Sequence, residues 1–549
     1  MNICTFDIET NGFLNDVHTL HVGVGKKLGT DRYVVFRDPV EMTRYLDAFD
    51  VIVGHNAIRY DIPALRRLVP GWHPTARVVD TLVMSRVMHP DRTAHPAGGS
   101  SLQKWGEYLR MPKGEHTDFT SYSPEMETYC KRDVDITEAL YRMFHLAALT
   151  TYGALEHDVA TIISEQYDNG FGFDYASASM LQAQLACRSA ELTDLLQQAF
   201  PPKIIELKTK TKTIPFNPGS RDQIASALIK KYKWRPTQLT ATGKPQIDES
   251  ILKDIPYPEA RLLEEYLLVE KRLSQLAQWL EHNRDGIVRG DVNTNGAISG
   301  RMTHSEPNMA QVPRCGSPYG SECRALFQPT RRNWVMVGAD ASGLELRMFA
   351  HYLANYDNGA YANVVCNGDI HTHNQKMAGL STRDQAKTFI YGLLYGAGDE
   401  KVGTIVGGTR RDGAALKTSF KSQVPAYAQL LQTLEFKCHQ IGYLKGLDGR
   451  SLPVRSAHSA LNLLLQSAGA VVMKKALCIL DNSLKRIAPD QYAFMANIHD
   501  EWQIECHPAV ARQVGEAAVN AITAAGEYFD LKCPLKGEFK IGNNWAETH

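Results

Sequence analysis

Residues 6–10 read Phe6-Asp7-Ile8-Glu9-Thr10. This apolar–acidic alternation fits a β-strand, in which successive side chains point to opposite faces of a sheet. Phe6 and Ile8 then face a core, and Asp7 and Glu9 share the other side. Two further acidic pieces follow in order. The run Gly54-His55-Asn56-Ala57-Ile58-Arg59-Tyr60 ends on Asp61, and Tyr129-Cys130-Lys131-Arg132-Asp133 lies on a predicted helix that sets Tyr129 and Asp133 one turn apart on one face. Any one of these acids, taken singly, reads better as a surface or capping carboxylate. Four carboxylates converging without Lys or Arg partners would repel one another strongly, and hard divalent cations, Mg²⁺ or Mn²⁺, relieve that repulsion. Two such ions, about 3.5–4 Å apart, activate water and stabilise the leaving oxygen of a phosphodiester.

The chain of 549 residues is too long for one compact domain, and at 44% hydrophobic and 22% charged it has an ordinary globular composition. No apolar stretch is read as approaching the roughly 20 residues of a membrane span, so no membrane partner is expected. The chain enters the strand-like Asn2-Ile3-Cys4-Thr5-Phe6 at once, so no leader peptide is expected. Ten cysteines without a Cys-x-x-Cys pair suggest reduced thiols in a cytoplasm rather than disulfides or a zinc site. Sixty basic residues balance sixty acidic ones, but the basic ones are unevenly spread. Between Lys203 and Lys244 eight Lys and two Arg face only Glu206 and Asp222, and Lys208, Lys210 and Lys212 alternate with threonines, which puts all three on one face of a strand. The segment is either a solvated lysine face or a clamp on phosphates.

Residues 1–150 alternate short β-rich segments such as Val51-Ile52-Val53 with helical ones, an α/β pattern. Long helical periodicity follows, with helices predicted over Ala178 to Phe200 and Pro258 to His282 on either side of the basic segment. A second α/β region carries a second constellation. Val335-Met336-Val337-Gly338 is strand-like and delivers Asp340, with Ser342 to Arg347 opening a helix. Far downstream, apolar runs around His499-Asp500-Glu501 predict a β-hairpin, and if it lies beside the first strand, Asp340 and Asp500 meet. Between them Arg383, Lys387, Tyr391 and Tyr395 recur every four residues, a stripe on one helix capped by Ser381 or Thr382. Cations and rings in that order suit a nucleoside triphosphate; a basic solvent face over buried tyrosines fits the helix alone equally well.

Taken in order, the three N-terminal pieces resemble the exonuclease motifs of the DEDD family in its tyrosine-containing form. That resemblance implies a ribonuclease-H-like sheet in which Asp7, Glu9, Asp61 and Asp133 hold metals and Tyr129 positions the attacking water. The C-terminal segments resemble motifs A, B and C of family A (Pol I-type) DNA polymerases, and the similarity extends to Gly300–Pro313, Gly368–Thr372, Asp448–Arg450 and Asn462–Ser467. Within the family the chain is similar to the replicative enzymes of short-tailed phages. The implied fold is a multidomain α/β protein, with an exonuclease domain (1–150) joined to a right-hand polymerase. The hand comprises a helical thumb (151–295, basic tip 203–244), a palm with an antiparallel sheet in two parts (296–352 and 457–549) and helical fingers (353–456).

By the same resemblance Asp340 and Asp500, with the Ala341 carbonyl, hold two Mg²⁺ ions, with Mn²⁺ as an alternative. Arg383, Lys387 and His371 bind the dNTP phosphates, Tyr391 packs by the sugar, Tyr395 lies near the templating position and Glu345 blocks a ribose 2′-hydroxyl. Arg301, Asn308, Gln311, Arg450, Gln466 and His499 hold the primer–template DNA, and Glu501 tunes the site. Tyrosine rather than phenylalanine at 391 implies acceptance of dideoxynucleotides. The chain starts at the proofreading domain, so 5′-flap removal is not expected. The short link from Lys203 to Phe216 leaves no room for the thumb insertion with which one phage relative binds a host thioredoxin, so a thioredoxin-type processivity factor is not expected. A phage helicase-primase and a single-stranded-DNA-binding protein are the further partners implied. The competing readings are a nuclease with a DNA-binding platform, a single-subunit RNA polymerase and a non-catalytic DNA-binding protein. Intact Asp340, Asp500 and Lys387 argue against the first, Glu345 and the exonuclease pieces against the second, and two separate acidic clusters against the third.

Overall fold

The computed structural model describes residues 1–148, 150–206, 211–236, 238–240 and 242–549. Near the N-terminus five strands, β1 (Ile3–Thr10), β2 (Leu20–Lys27), β3 (Tyr33–Phe36), β4 (Val51–Gly54) and β5 (Arg77–Asp80), form one sheet in the order β3-β2-β1-β4-β5. β1 runs antiparallel to β2 and parallel to β4, the arrangement the ribonuclease-H-like resemblance implies. The alternation in β1 sorts as expected, with Phe6 and Ile8 buried and Asp7 and Glu9 half-buried on the opposite face. β4 is buried along its whole length, which is why it reads as a continuous apolar run. The Pro124–Ala148 helix lies across β1 and β2 and carries Tyr129 and Asp133 to the open face.

The two long helices are Tyr175–Ala199 and Pro258–His282, packed on each other. Asp174 caps the first by accepting from the Ser177 N–H, and proline occupies the first turn of the second. Their buried positions, Leu181, Leu185, Leu192 and Leu196 against Leu263, Val269 and Leu276, keep helical spacing. The intervening segment forms a hairpin of Lys203–Glu206 with Thr211–Ile214 and the helices Arg221–Tyr232 and Glu249–Lys253. Lys208 and Lys210 lie outside the described residues; Lys212 is exposed. Lys231 and Lys244 are already paired, with Glu259 at 2.6 Å and Asp222 at 2.5 Å.

The C-terminal sheet is wholly antiparallel. Its order is Tyr492–Ile498, Glu501–Cys506, Val335–Ala341, Gly537–Gly542, so the strand carrying Asp340 is paired on both edges. The helices Ala460–Ile487 and Ala511–Tyr528 pack on each other, the second also on this sheet. The first corrects the reading of apolar stretches. Within Ala457–Ile487 an 18-residue stretch reaches a mean hydropathy of 1.6 and the helix is long enough to cross a bilayer, yet 78% of that stretch is buried inside the protein, as in a core helix.

Arg450 also departs from expectation. It is 4% exposed, and its guanidinium bonds Glu156 at 2.6 Å and Asp448 at 2.6 Å instead of facing an open surface. Lys474 reaches the same Glu156 carboxylate at 2.8 Å, and the Asn295 amide donates to it at 2.6 Å. The cluster thus ties the Thr151–Asn169 helix to the turn after Tyr443–Lys445 and to the Ala460–Ile487 helix. Burial pushes the Lys474 ammonium down to about 8, while Lys474 and Arg450 hold the Glu156 carboxyl low against the upward push of its own burial. Removing one member of a buried ion cluster strands the others. Glu156→Ala is therefore expected to lose about 3–5 kcal/mol in urea unfolding; a loss below about 1 kcal/mol would show that the cluster does not hold the fold.

Candidate active sites

Three chain segments converge above β1. Asp7 and Glu9 stand on the strand, Asp61 opens the Asp61–Leu68 helix and accepts from the Ile8 N–H at 3.2 Å, and Asp133 reaches in from the long helix. Asp80 organises the loop before Asp61. Its oxygens accept from the N–H groups of Asn56, Ile58 and Leu82 at 2.9, 3.1 and 2.9 Å, with Asn56 in the left-handed region at φ 65°. The sequence hinted at Asp80 only as a residue ahead of a helix start.

The set is electrostatically strained. Burial first, then Asp133, Glu9 and Asp61, pushes the Asp7 carboxyl well above the usual range. Burial and Asp133 push Glu9 to about 8, and burial and Asp80 push Asp61 to about 7. Burial raises Asp133 to about 6, held back by Lys113. Lys113 corrects the expectation of a cluster without cationic partners: its ammonium lies 2.8 Å from Asp133 Oδ2 and 4.7 Å from the centre of the Tyr129 ring. It lies in an irregular stretch with no motif, so nothing in the sequence pointed to it. Cys130 was missed too; its thiol donates to Asp7 Oδ2 at 3.3 Å. Asp133 Oδ1 is buried without a hydrogen-bond partner. An orphaned hard oxygen among protonation-prone carboxylates is what a divalent cation would satisfy, so these residues fit such an ion.

The second site forms where the hairpin meets the central strand. Asp340 pairs in register with Glu501 on one side and Glu538 on the other, and the Ala341 N–H donates to the Asp500 carbonyl at 3.1 Å. His499, in the left-handed region at φ 59°, makes the turn and is exposed beside Arg301. Asp340 and Asp500 thus meet as the sequence implied. Burial, then Glu345 and Asp340, raises Asp500 to about 6; burial, Glu538 and Glu501 raise Asp340. Their oxygen-only donor set suits the same class of cation. Glu501 is already engaged: Trp545 and Gln503 donate to Oε1 at 2.6 and 2.7 Å, and His549 lies 2.8 Å from Oε2. Sequence reasoning found neither that clasp nor Glu538.

Glu345 lies in the first turn of the helix Leu344–Asp357 and accepts from Arg301 at 3.1 Å and from the Tyr395 hydroxyl at 2.9 Å, which joins three of the expected site residues. The Arg383–Leu394 helix has a capping box of Thr382 with Gln385. Ala386, Phe389, Ile390 and Leu393 are buried, Arg383 and Lys387 are exposed, Tyr391 is half-buried, and Tyr395, just past the helix end, is 45% exposed. Arg383 pairs with Asp369 at 2.8 Å, and His371 Nδ1 is buried without a partner. The Asn308 side chain accepts from the Ala310 N–H, Gln311 is exposed, and Gln466 is half-buried on the Ala460–Ile487 helix.

Comparison with known proteins gives a consistent result. The family model described as DNA polymerase family A matches residues 186–547. DNA-directed DNA polymerases of Escherichia phage T7 and Enterobacteria phage T3 are each 34% identical over 702 aligned residues, covering 99% of this chain and 99% of each relative. The alignment is longer than the chain, so those relatives carry insertions that it lacks. A solved structure titled as the POL domain of Pol1 from M. smegmatis, in complex with DNA primer-template and dNTP, has a TM-score of 0.82 at 18% identity, covering 99% of this chain and 96% of that one.

Glu9 supplies a test of the strained cluster. Its value near 8 in the fold lies above the ordinary 4.5, so the folded protein holds an extra proton between those pH values. The stability this confers is complete below about pH 4.5 and is lost as pH rises through about 8. In metal-free buffer, Glu9→Gln is expected to raise the unfolding midpoint by a few degrees at about pH 8.5 and to match the unmutated chain at about pH 5. Calorimetry with EDTA checks this; equal midpoints at both pH values would contradict it.

Proposed function

The chain belongs to DNA polymerase family A, and from that premise we propose that it extends a DNA primer on a template with dNTPs in phage genome replication and removes mispaired 3′ ends at its N-terminal carboxylate site. The observation that carries the reading is the register that sets Asp340 and Asp500 side by side at the end of a doubly paired strand. The N-terminal carboxylates, with their orphaned Asp133 oxygen, support the hydrolytic activity. The domain division follows: exonuclease 1–150, thumb 151–295, palm 296–352 and 457–549, fingers 353–456.

Asp340, Asp500 and the Ala341 carbonyl would hold one pair of Mg²⁺ ions, and Asp7, Glu9, Asp61 and Asp133 another. Bound there, such ions activate the attacking oxygen and stabilise the leaving one. The chain's own groups orient the reactants. Arg383, Lys387 and the free Nδ1 of His371 face the triphosphate, with Arg383 exchanging Asp369 for phosphate. Tyr391 packs against the sugar. Glu345, fixed by Arg301 and Tyr395, fills the space a 2′-hydroxyl would need. His499, Asn308, Gln311 and Gln466 contact the primer–template. At the exonuclease site Tyr129 orients the attacking water, and Lys113 steadies Asp133. The basic 203–244 segment grips duplex phosphates, and a helicase-primase and a single-stranded-DNA-binding protein are further partners.

On an end-labelled primer annealed to a longer template, with Mg²⁺, the primer is expected to lengthen with dNTPs, not rNTPs, and to shorten without them. Asp500→Ala should abolish only extension, and Asp7→Ala only shortening, each by at least about 100-fold. A primer that only shortens would make the C-terminal part a binding platform. Added thioredoxin is expected to leave product length unchanged; longer products would show that the short Lys203–Phe216 link is no barrier to that factor.

A further inference from the structure

Cys366 and Cys533 are remote in sequence, yet their sulfurs lie 3.7 Å apart. Every cysteine of the chain is a free thiol, and only these two touch each other among the described residues. Cys366 sits in the last turn of the Ala360–Asn367 helix and is exposed. Cys533 is buried, in the loop between the Ala511–Tyr528 helix and the Gly537–Gly542 strand. That loop is pinned to the start of the Leu344–Asp357 helix. The Lys532 N–H donates to His351 Nδ1 at 3.0 Å, Arg347 donates to the Pro534 carbonyl, and the Ser342 N–H donates to the Lys536 carbonyl at 2.8 Å. The Cys533 sulfur is thereby held in place. The Ala360–Asn367 helix buries only Tyr361 and Ala362, both near its start, so its last turn is the looser partner.

The two thiols are chemically unequal. Arg347 Nη1 lies 3.7 Å from the Cys366 sulfur, and its Nε donates to the Ser342 carbonyl at 2.9 Å. Its hydrogen bonds go to two carbonyls and a thiol, and no carboxylate pairs with it among the described residues. An uncompensated guanidinium beside an exposed sulfur favours reaction through the thiolate. Burial pushes the Cys533 thiol up to about 12, so it is not the first of the pair to react. An accessible cysteine beside a cation, with a sheltered thiol in contact behind it, is the arrangement of an oxidised and a resolving sulfur. Packing alone does not account for the pair, because an exposed Cys366 adds little to a core. A disulfide needs the sulfurs at about 2.05 Å, a closure that a small side-chain rotation in the looser helix end supplies.

We propose that Cys366 and Cys533 form an oxidant-responsive modification site, at which a hydroperoxide oxidises Cys366 and Cys533 then closes a disulfide that clips the end of the Ala360–Asn367 helix to the loop ahead of the Gly537–Gly542 strand. The Cys366 thiolate attacks a peroxide oxygen; the S–O bond forms, the O–O bond breaks, and the hydroxide that leaves takes up the proton the thiol gave up. The Cys533 sulfur then loses its proton and attacks the sulfur of the Cys366 sulfenic acid. The S–S bond forms, the S–O bond breaks, and a second water leaves. Two thiols have given up two electrons and two protons, and one hydrogen peroxide has become two waters. Cys366 lies shortly ahead of Asp369, the partner of Arg383, and the Gly537–Gly542 strand pairs with the strand that carries Asp340. The clip therefore ties the approach to Arg383 to the sheet beneath Asp340.

The reduced full chain is exposed to hydrogen peroxide, unfolded in N-ethylmaleimide to block the remaining thiols, digested and mapped by mass spectrometry. A peptide pair joined through Cys366 and Cys533, lighter by two hydrogens and separated by dithiothreitol, is expected. Cys187, which is also exposed, should gain oxygen without joining any other cysteine of the chain. Amide exchange over residues 360–367 should slow by at least about three-fold in the oxidised chain and recover on reduction. Cys366→Ser, at an exposed position without folding risk, should leave Cys533 open to the maleimide. Cys533→Ser should let Cys366 run on to the sulfinic acid, which dithiothreitol does not reverse. A sulfinic acid at Cys366 of the unmutated chain with Cys533 still free, or a link that forms only after the chain is unfolded, would overturn the proposal. A link that leaves amide exchange over 360–367 unchanged would overturn the clip.

Discussion

Placing carboxylates out of water beside other carboxylates is the constraint around which this structure is arranged. Each such group costs several kcal/mol unless something compensates for the lost solvent. The chain has two distinct responses. Two buried carboxylates away from the sites are well partnered: Glu156 accepts from Arg450, Lys474 and Asn295, and Glu505 accepts from Thr330 and Arg331. At three carboxylates of the candidate sites, compensation is left incomplete. Asp133 keeps one oxygen without a partner, burial raises Asp500 to about 6, and burial together with its acidic neighbours pushes Asp7 far up. That contrast within one molecule marks the incompletely compensated carboxylates as the candidates for function.

The two sites are joined by short polar links. Arg59 lies in the loop that leads to Asp61 and pairs with Asp291; the strand Asp291–Asn293 pairs with Thr303–Ser305, two residues beyond the Arg301 that holds Glu345. Arg455, just past the Ser451–Pro453 strand, grips Asp91 with two hydrogen bonds at 2.6 and 3.0 Å. Arg59 also lies over the Tyr167 ring, 3.8 Å from its centre, so the loop before Asp61 rests on the Thr151–Asn169 helix as well.

Local pattern made much of this legible. The alternation of Phe6 to Thr10, the apolar run ending near Asp340, the hairpin around His499 and the two long helices all follow from periods of two and 3.6, and the structure shows each of them. The failures share one physical cause, which is that a partner brought by tertiary folding leaves no local trace. Arg450 sits in a turn sequence that suits a surface contact, and only the arrival of Glu156 from far upstream makes it a core residue. Lys113 belongs to no periodic element, and Glu538 meets Asp340 only because the Gly537–Gly542 strand pairs with Val335–Ala341. The Ala460–Ile487 helix escaped notice as an apolar stretch because its Lys, Asn and Ser residues interrupt the run, although the helix is largely wrapped by protein.

The sites reach the same electrostatic condition from unlike scaffolds. In each, the first carboxylate stands on a strand with neighbours on both edges, β1 in a mixed sheet and Val335–Ala341 in an antiparallel one. A doubly paired strand has little freedom, so Asp7 and Asp340 are the fixed points. The second carboxylate arrives on an element remote in sequence, the Pro124–Ala148 helix for Asp133 and the hairpin turn for Asp500. Repulsion between the two is therefore absent until the tertiary fold closes, and then it is met by the packing energy of large apolar surfaces and, at Asp133, by the Lys113 ammonium. A site built this way is present only in the completed fold. Its geometry is set by strand register, since a one-residue slip would turn Asp340 to the opposite face of the sheet.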